Sequence, residues 1–174
     1  MTFHSIVRQW CRAYRPMLDS STNGNRRFYI KDNWEAVRSM PKSIATTFSP
    51  CVVMESSVEV EADGGRLYRN YPIYFFVRSE QMANDDAIAE AREEALYHCL
   101  VFLAWLKKRH EEDDAYGDFG RIEMEERIMI NSTGTLEDGW EGVVLQVSRL
   151  ELLDMCVNDD MYINDMYIND DDSD

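Results

Sequence analysis

The stretch "NDDAIAEAREEALYHCLVFLAWLKKRHEEDD" (Asn84–Asp114) decides how its neighbours are read. Ile88, Ala91, Ala95, Cys99, Phe102 and Leu106 recur at spacings of three and four. That is the period of a helix with one buried face. Asn84 is a good N-cap, and Asp85 and Asp86 suit the positive end of the helix dipole. Lys107, Lys108 and Arg109 sit near the opposite end. About 25 residues at ~1.5 Å each give a helix of roughly 37 Å, long for a chain of 174 residues. Its stripe is the predicted core, packed on a sheet.

The sheet is legible on both sides of this helix. "CVVMESSVEVEA" (Cys51–Ala62) alternates Val52, Met54, Ser56, Val58 and Val60 against Glu55, Ser57, Glu59 and Glu61. "DGG" at Asp63–Gly65 supplies residues that tolerate positive φ, and "RLYRNYPIYFFVR" (Arg66–Arg78) returns as the second strand of a hairpin. Pro72 has no amide donor, which predicts an edge position or an interruption there. After the helix, "RIEMEERIMIN" alternates Ile122, Met124, Glu126, Ile128 and Ile130 against Glu123, Glu125 and Arg127. "GWEGVVLQVSRLEL" (Gly139–Leu152) pairs with it across "STGTLEDG". Near the start, Phe3, Ile6, Val7, Trp10 and Tyr14 mark a short amphipathic helix that Pro16 ends. "DSSTNGNRR" reads as a loop, and residues 33–48 are ambiguous, with one helical turn and a coil as the reading. The expected fold is α+β: a four-stranded, mainly antiparallel sheet from two hairpins, packed by one long helix and a short N-terminal helix. Residues 1–153 form the domain and residues 154–174 an acidic C-terminal arm.

Composition narrows the function. The net charge is -15, and residues 154–174 hold eight Asp with no Lys or Arg. Affinity for nucleic acid or anionic lipid comes largely from Lys and Arg, so neither is an expected binding partner. The opening "MTFHSIVRQWCRAYR" lacks the apolar core of a signal peptide, and "CLVFLAWL" (Cys99–Leu106) is too short to span a bilayer. A soluble, intracellular protein with no membrane partner is expected. Cys11, Cys51, Cys99 and Cys156 show no zinc spacing and read as reduced, packed thiols.

Catalytic signatures are missing from the sequence. No Gly-rich phosphate loop precedes a helix. His4, His98 and His110 have no partner at the spacing of a metal motif, and His98 reads as a packed or semi-exposed helix residue rather than a ligand. Asp86, Glu90, Glu93 and Glu94 lie together on the long helix beside Tyr97. They form either a carboxylate cluster for magnesium or acid/base work, or a solvated acidic face, and the second is the expectation. Neither an enzyme nor a cofactor or metal is expected.

The arm carries the pentapeptide DMYIN twice, at Asp160–Asn164 and Asp165–Asn169, after a blurred copy at Asp154–Asn158. It lacks the Gly and terminal Glu of a calcium loop. A period of five aligns neither as strand nor as helix, so the copies do not share one apolar face. Either a duplication sits in a tolerant terminus, or Met161, Tyr162, Ile163, Met166, Tyr167 and Ile168 form an assembly arm able to add to a sheet edge.

The order of elements, with the "GWEGV" that opens the last strand, resembles the tail-terminator and neck (head–tail connector) proteins of tailed bacteriophages. The resemblance covers roughly residues 1–153. It implies a non-enzymatic structural virion protein, a subunit of a homo-oligomeric ring at the head–tail junction, made in the host cytoplasm. Its partners would be itself and other neck, portal or tail proteins. DNA would pass without specific binding along an acidic lumen, for which Asp86, Glu90, Glu93 and Glu94 are the candidate residues. Two other readings fit the acidity: a DNA-mimicking inhibitor of a host DNA-binding protein or nuclease, and an adaptor whose arm recruits a basic client.

Overall fold

The structure is a computed structural model and describes residues 1–17, 27–39, 49–56, 59–63, 65–81, 84–124 and 128–151. Its helices are α1 (Phe3–Ala13), α2 (Trp34–Arg38) and α3 (Asp85–Glu112). Its strands are β1 (Phe28–Lys31), β2 (Cys51–Glu55), β3 (Glu59–Asp63), β4 (Arg66–Arg78), β5 (Ile122–Glu123), β6 (Met129–Ser132) and β7 (Trp140–Glu151). The arm residues Met161 to Ile168, together with Cys156, Val58 and Glu126, lie outside the described residues.

The fold is α+β, but the sheet is mixed and seven-stranded, not the four-stranded antiparallel sheet that two hairpins predict. Both predicted hairpins are present. β4 and β7 lie side by side at the centre, antiparallel from Leu67↔Glu151 to Arg78↔Trp140. The outer arm of each hairpin is broken in two. β2 and β3 share one flank of β4, and β5 and β6 share one flank of β7. The added strand is β1, which pairs parallel with β2 from Phe28↔Val52 to Lys31↔Glu55.

Pro72 explains the first break. β2 pairs as far as Ile73 and β3 resumes at Asn70, so among the described residues Tyr71 and Pro72 have no register partner on that side. Towards β7, Pro72 pairs with Gln146. The residue that cannot donate therefore faces a gap in its neighbour. It is neither at the sheet edge nor an interruption of its own strand, and the expectation is corrected accordingly.

Side-chain alternation divides the sheet into two faces. Val52, Met54, Tyr71, Ile73, Phe75, Val143, Leu145 and Val147 join Phe3, Trp10, Cys99, Phe102 and Leu106 in the main core under α1 and α3. Of the predicted stripe, Ala91, Ala95, Cys99, Phe102 and Leu106 are buried, while Ile88 at the open end of α3 is only half-buried. The opposite face holds a second core: Val37 of α2, Cys51, Val53, Tyr74, Phe76, Leu136 and Trp140.

The "GWEGV" stretch has a local physical basis. Asp138 and Gly139 take positive φ (60° and 72°) in the turn that precedes β7, and Trp140 drops into the second core. A Cβ on Gly142 would come within 2.4 Å of the Phe76 ring, so only glycine lets that ring lie flat against β7.

Candidate functional site

The acidic residues of α3 border an open cleft. Asn84 caps the helix by accepting a hydrogen bond on Oδ1 from the Asp86 N–H (3.0 Å). Its own amide Nδ2 donates to Gln81 Oε1 (3.2 Å). The chain before it is pinned as well. The Arg78 N–H donates to Ser49 Oγ (2.9 Å) and the Ser79 N–H to the Gly139 carbonyl (2.8 Å). These bonds hold residues 78–81 opposite the first turns of α3.

Between them lies a space of about 1060 Å³, floored by Val77 and Ala91. Glu80, Asp86, Glu90 and Glu94 contribute carboxylates to its walls, and Arg78 is the cationic side chain among the lining residues. Glu93 is exposed but does not line the cleft. The reason is helical geometry: from Asp86, steps of four carry Glu90 and Glu94 about 40° each toward the sheet, whereas a step of seven turns Glu93 about 20° the other way. Three of the four candidate acids therefore share one row. The opposite wall was not legible in advance, because Arg78 ends β4 and Glu80 lies just past it, where no period marks which way a side chain faces.

Beside the cleft, His98 is buried at 4% exposure. Its Nδ1 lies 3.0 Å from the Tyr14 hydroxyl and its Nε2 lies 3.4 Å from Glu94 Oε1. A neutral ring satisfies both partners, with Nδ1 accepting from Tyr14 and Nε2–H donating to Glu94. Burial holds its pKa below the ordinary 6.5; the Glu94 carboxylate opposes that shift and Arg27 adds to it. His98 thus ties Tyr14, the residue that caps the end of α1, to α3, and of the packed and semi-exposed positions expected for it the packed one is found.

A second charged device was missed. Glu141 is fully buried and takes both Arg92 Nη2 (2.8 Å) and Arg92 Nε (3.2 Å) on Oε2. At the far end of β7, buried Arg149 donates to Asp118 Oδ1 (2.8 Å) and to the Met1 carbonyl (3.0 Å). The signal was available: Glu141, Val143, Leu145, Val147 and Arg149 alternate on the helix-facing side of β7, so charges at both ends of that row had to be buried.

No group of three His, Cys, Asp or Glu among the described residues is placed to hold a metal ion. Burial pushes the thiols of Cys11 and Cys99 up to about 12, and that of Cys51 higher still, so none is a ready nucleophile. No helix among the described residues is long and apolar enough to cross a membrane. What the cleft can do is repel polyanions or receive a cationic group. Comparison of the chain with protein-family models, with curated proteins and with solved structures finds no match in any of the three.

Proposed function

We propose that this chain is a non-enzymatic structural subunit of a homo-oligomeric ring at the head–tail junction of a tailed phage, either a tail terminator or a neck connector. It assembles in the host cytoplasm and resides in the virion. The observation that carries the reading is a sheet whose outer strands, among the described residues, have a strand neighbour on one side only, on the same body as an exposed acidic helix row. Open edges are surfaces that neighbouring subunits complete, and a heterologous contact that closes makes a ring. A row of carboxylates turned to the lumen would repel DNA and keep it mobile.

The test is the mass of the full chain by light scattering over a range of concentration, alone and with neck or tail proteins. A defined closed oligomer is expected. A monomer under every condition would sink the reading.

The acid row also supports a second reading. Asp86, Glu90 and Glu94 repeat about every 6 Å along α3, a regular line of negative charge that a DNA-mimicking inhibitor would present. Salt-sensitive 1:1 capture of a nuclease or DNA-binding protein would favour it.

A further inference from the structure

His98 is a buried titratable group that ring assembly leaves unused, and it stands where three segments meet. Tyr14, at the end of α1, reaches its Nδ1 with the hydroxyl (3.0 Å), and the two rings meet edge to face (5.6 Å between centroids, 72°). On α3 itself, Glu94 faces its Nε2 (3.4 Å) and the Tyr97 ring lies 5.8 Å away. From the segment ahead of β1, the charge of Arg27 acts on it as well. Arg27 donates from Nη1 to the Pro16 carbonyl, and its Nε is buried with no hydrogen-bond partner among the described residues. The two polar partners of His98 differ in freedom. Tyr14 is half-buried and stacked on Trp10 (4.6 Å, 22°), which is buried in the main core. The Glu94 side chain is 53% exposed and borders the open cleft.

A proton on this ring reverses one bond and strengthens the other. In the neutral ring Nδ1 accepts from Tyr14 while Nε2–H donates to Glu94; in the charged ring both nitrogens donate. The Tyr14 O–H then points at a donor and has to turn away. The contact with Glu94, by contrast, becomes a charge-assisted hydrogen bond. Arg27 repels the new charge, and burial disfavours leaving it where the neutral ring sits. The neutral ring therefore favours Tyr14, and the charged ring favours the exposed carboxylate.

We infer that His98 is a two-position proton switch beside the cleft: neutral, it is tied to Tyr14 at the end of α1; charged, it releases that hydroxyl, turns toward Glu94 and draws the carboxylate out of the acid row. Asp86 and Glu90 then remain as the row that faces the cleft. One proton changes both the charge of the cleft wall and the tie between Tyr14 and α3. α1 itself stays on the sheet in both positions, because Phe3, Ile6, Val7, Trp10 and Cys11 are buried. Burial holds the ring below its ordinary 6.5, so the charged position fills as the pH falls below that value. The switch belongs to a single chain and stands apart from ring assembly.

The test follows isotope-labelled histidine rings of the full chain by NMR from about pH 7.5 down to 4.5, with circular dichroism on the same samples. At the upper end the His98 nitrogens should report the neutral Nε2–H form. Contacts between the Tyr14 and His98 ring protons should fade as the ring titrates, a result read on the native chain without any substitution. Tyr14→Phe removes a bond made to the neutral ring alone and should raise the His98 midpoint by about 0.5–1 on the pH scale. Glu94→Gln should lower it by about 0.5 or more. A midpoint that Tyr14→Phe leaves in place would mean that the hydroxyl merely turns round and keeps hold of the charged ring, and would overturn the switch. So would a midpoint unmoved by Glu94→Gln, since the charge is then not drawn to the cleft. A ring that stays neutral until the chain unfolds would overturn it as well.

Discussion

At the scale of single residues, the informative positions are those where chemistry leaves no choice. A Cβ on Gly142 would meet Phe76 Cδ1 and Cε1 at 2.4 and 2.5 Å and the Phe75 carbonyl at 3.0 Å. Gly142→Ala is expected to lose about 1–3 kcal/mol in urea unfolding through overpacking. The loss should shrink in a Phe76→Leu background, since the two changes share one space. His98 makes a different prediction. Its folded pKa lies below the ordinary 6.5 because it is buried, near Arg27. Below about pH 6.5 the unfolded chain then binds a proton that the folded chain resists. Stability from this group is therefore complete above 6.5 and declines as the pH falls below it. His98→Gln should remove that slope in a pH series of denaturation curves. A later decline, below the ordinary 3.8 of Asp118, should survive, because that carboxyl is held low by the Met1 amine and Arg149.

At the scale of elements, α3 carries the fold. Phe102 is fully buried and lies against Trp10 (5.1 Å between centroids), Phe75 (5.8 Å) and Trp105 (6.0 Å). Phe102→Ala should cost about 3–5 kcal/mol by calorimetry or urea unfolding; a loss below about 1 kcal/mol would mean that the helix packs otherwise. This helix was legible because its period runs through 28 residues with a cap at its start. The two hairpins were legible from alternation. Their breaks were not, and the reason is arithmetic. Between Met54↔Ile73 and Glu59↔Asn70 the outer strand gains two residues on β4. Between Glu123↔Ser148 and Met129↔Gln146 it gains four on β7. An even surplus returns each side chain to its face and leaves the pattern undisturbed. β1 was missed because four residues, "FYIK", are too few to display a period. Of the acid cluster, spacing alone could select Asp86, Glu90 and Glu94. That Glu93 turns away depends on which side of α3 the sheet lies, and the sheet's position is set by residues far along the chain.

At the scale of the whole molecule, protection should follow the sheet's order. β4 and β7 are the central pair and are covered on both faces, whereas every residue of β3 is exposed. Native-state hydrogen exchange should find the slowest amides at Tyr71–Val77 and Glu141–Val147, opening only with global unfolding, and fast exchange in β3. The central pairing also has a consequence for synthesis. Of the described elements, β7 is the last to leave the ribosome, yet β4, β5 and β6 all depend on it for a neighbour. At ordinary elongation rates the nascent chain waits on the order of seconds between β4 and β7. During that interval Ile73, Phe75 and Val77 sit on a strand whose long flank is bare. This is a window in which a chaperone, or another unfinished chain, meets the edge that β7 later seals.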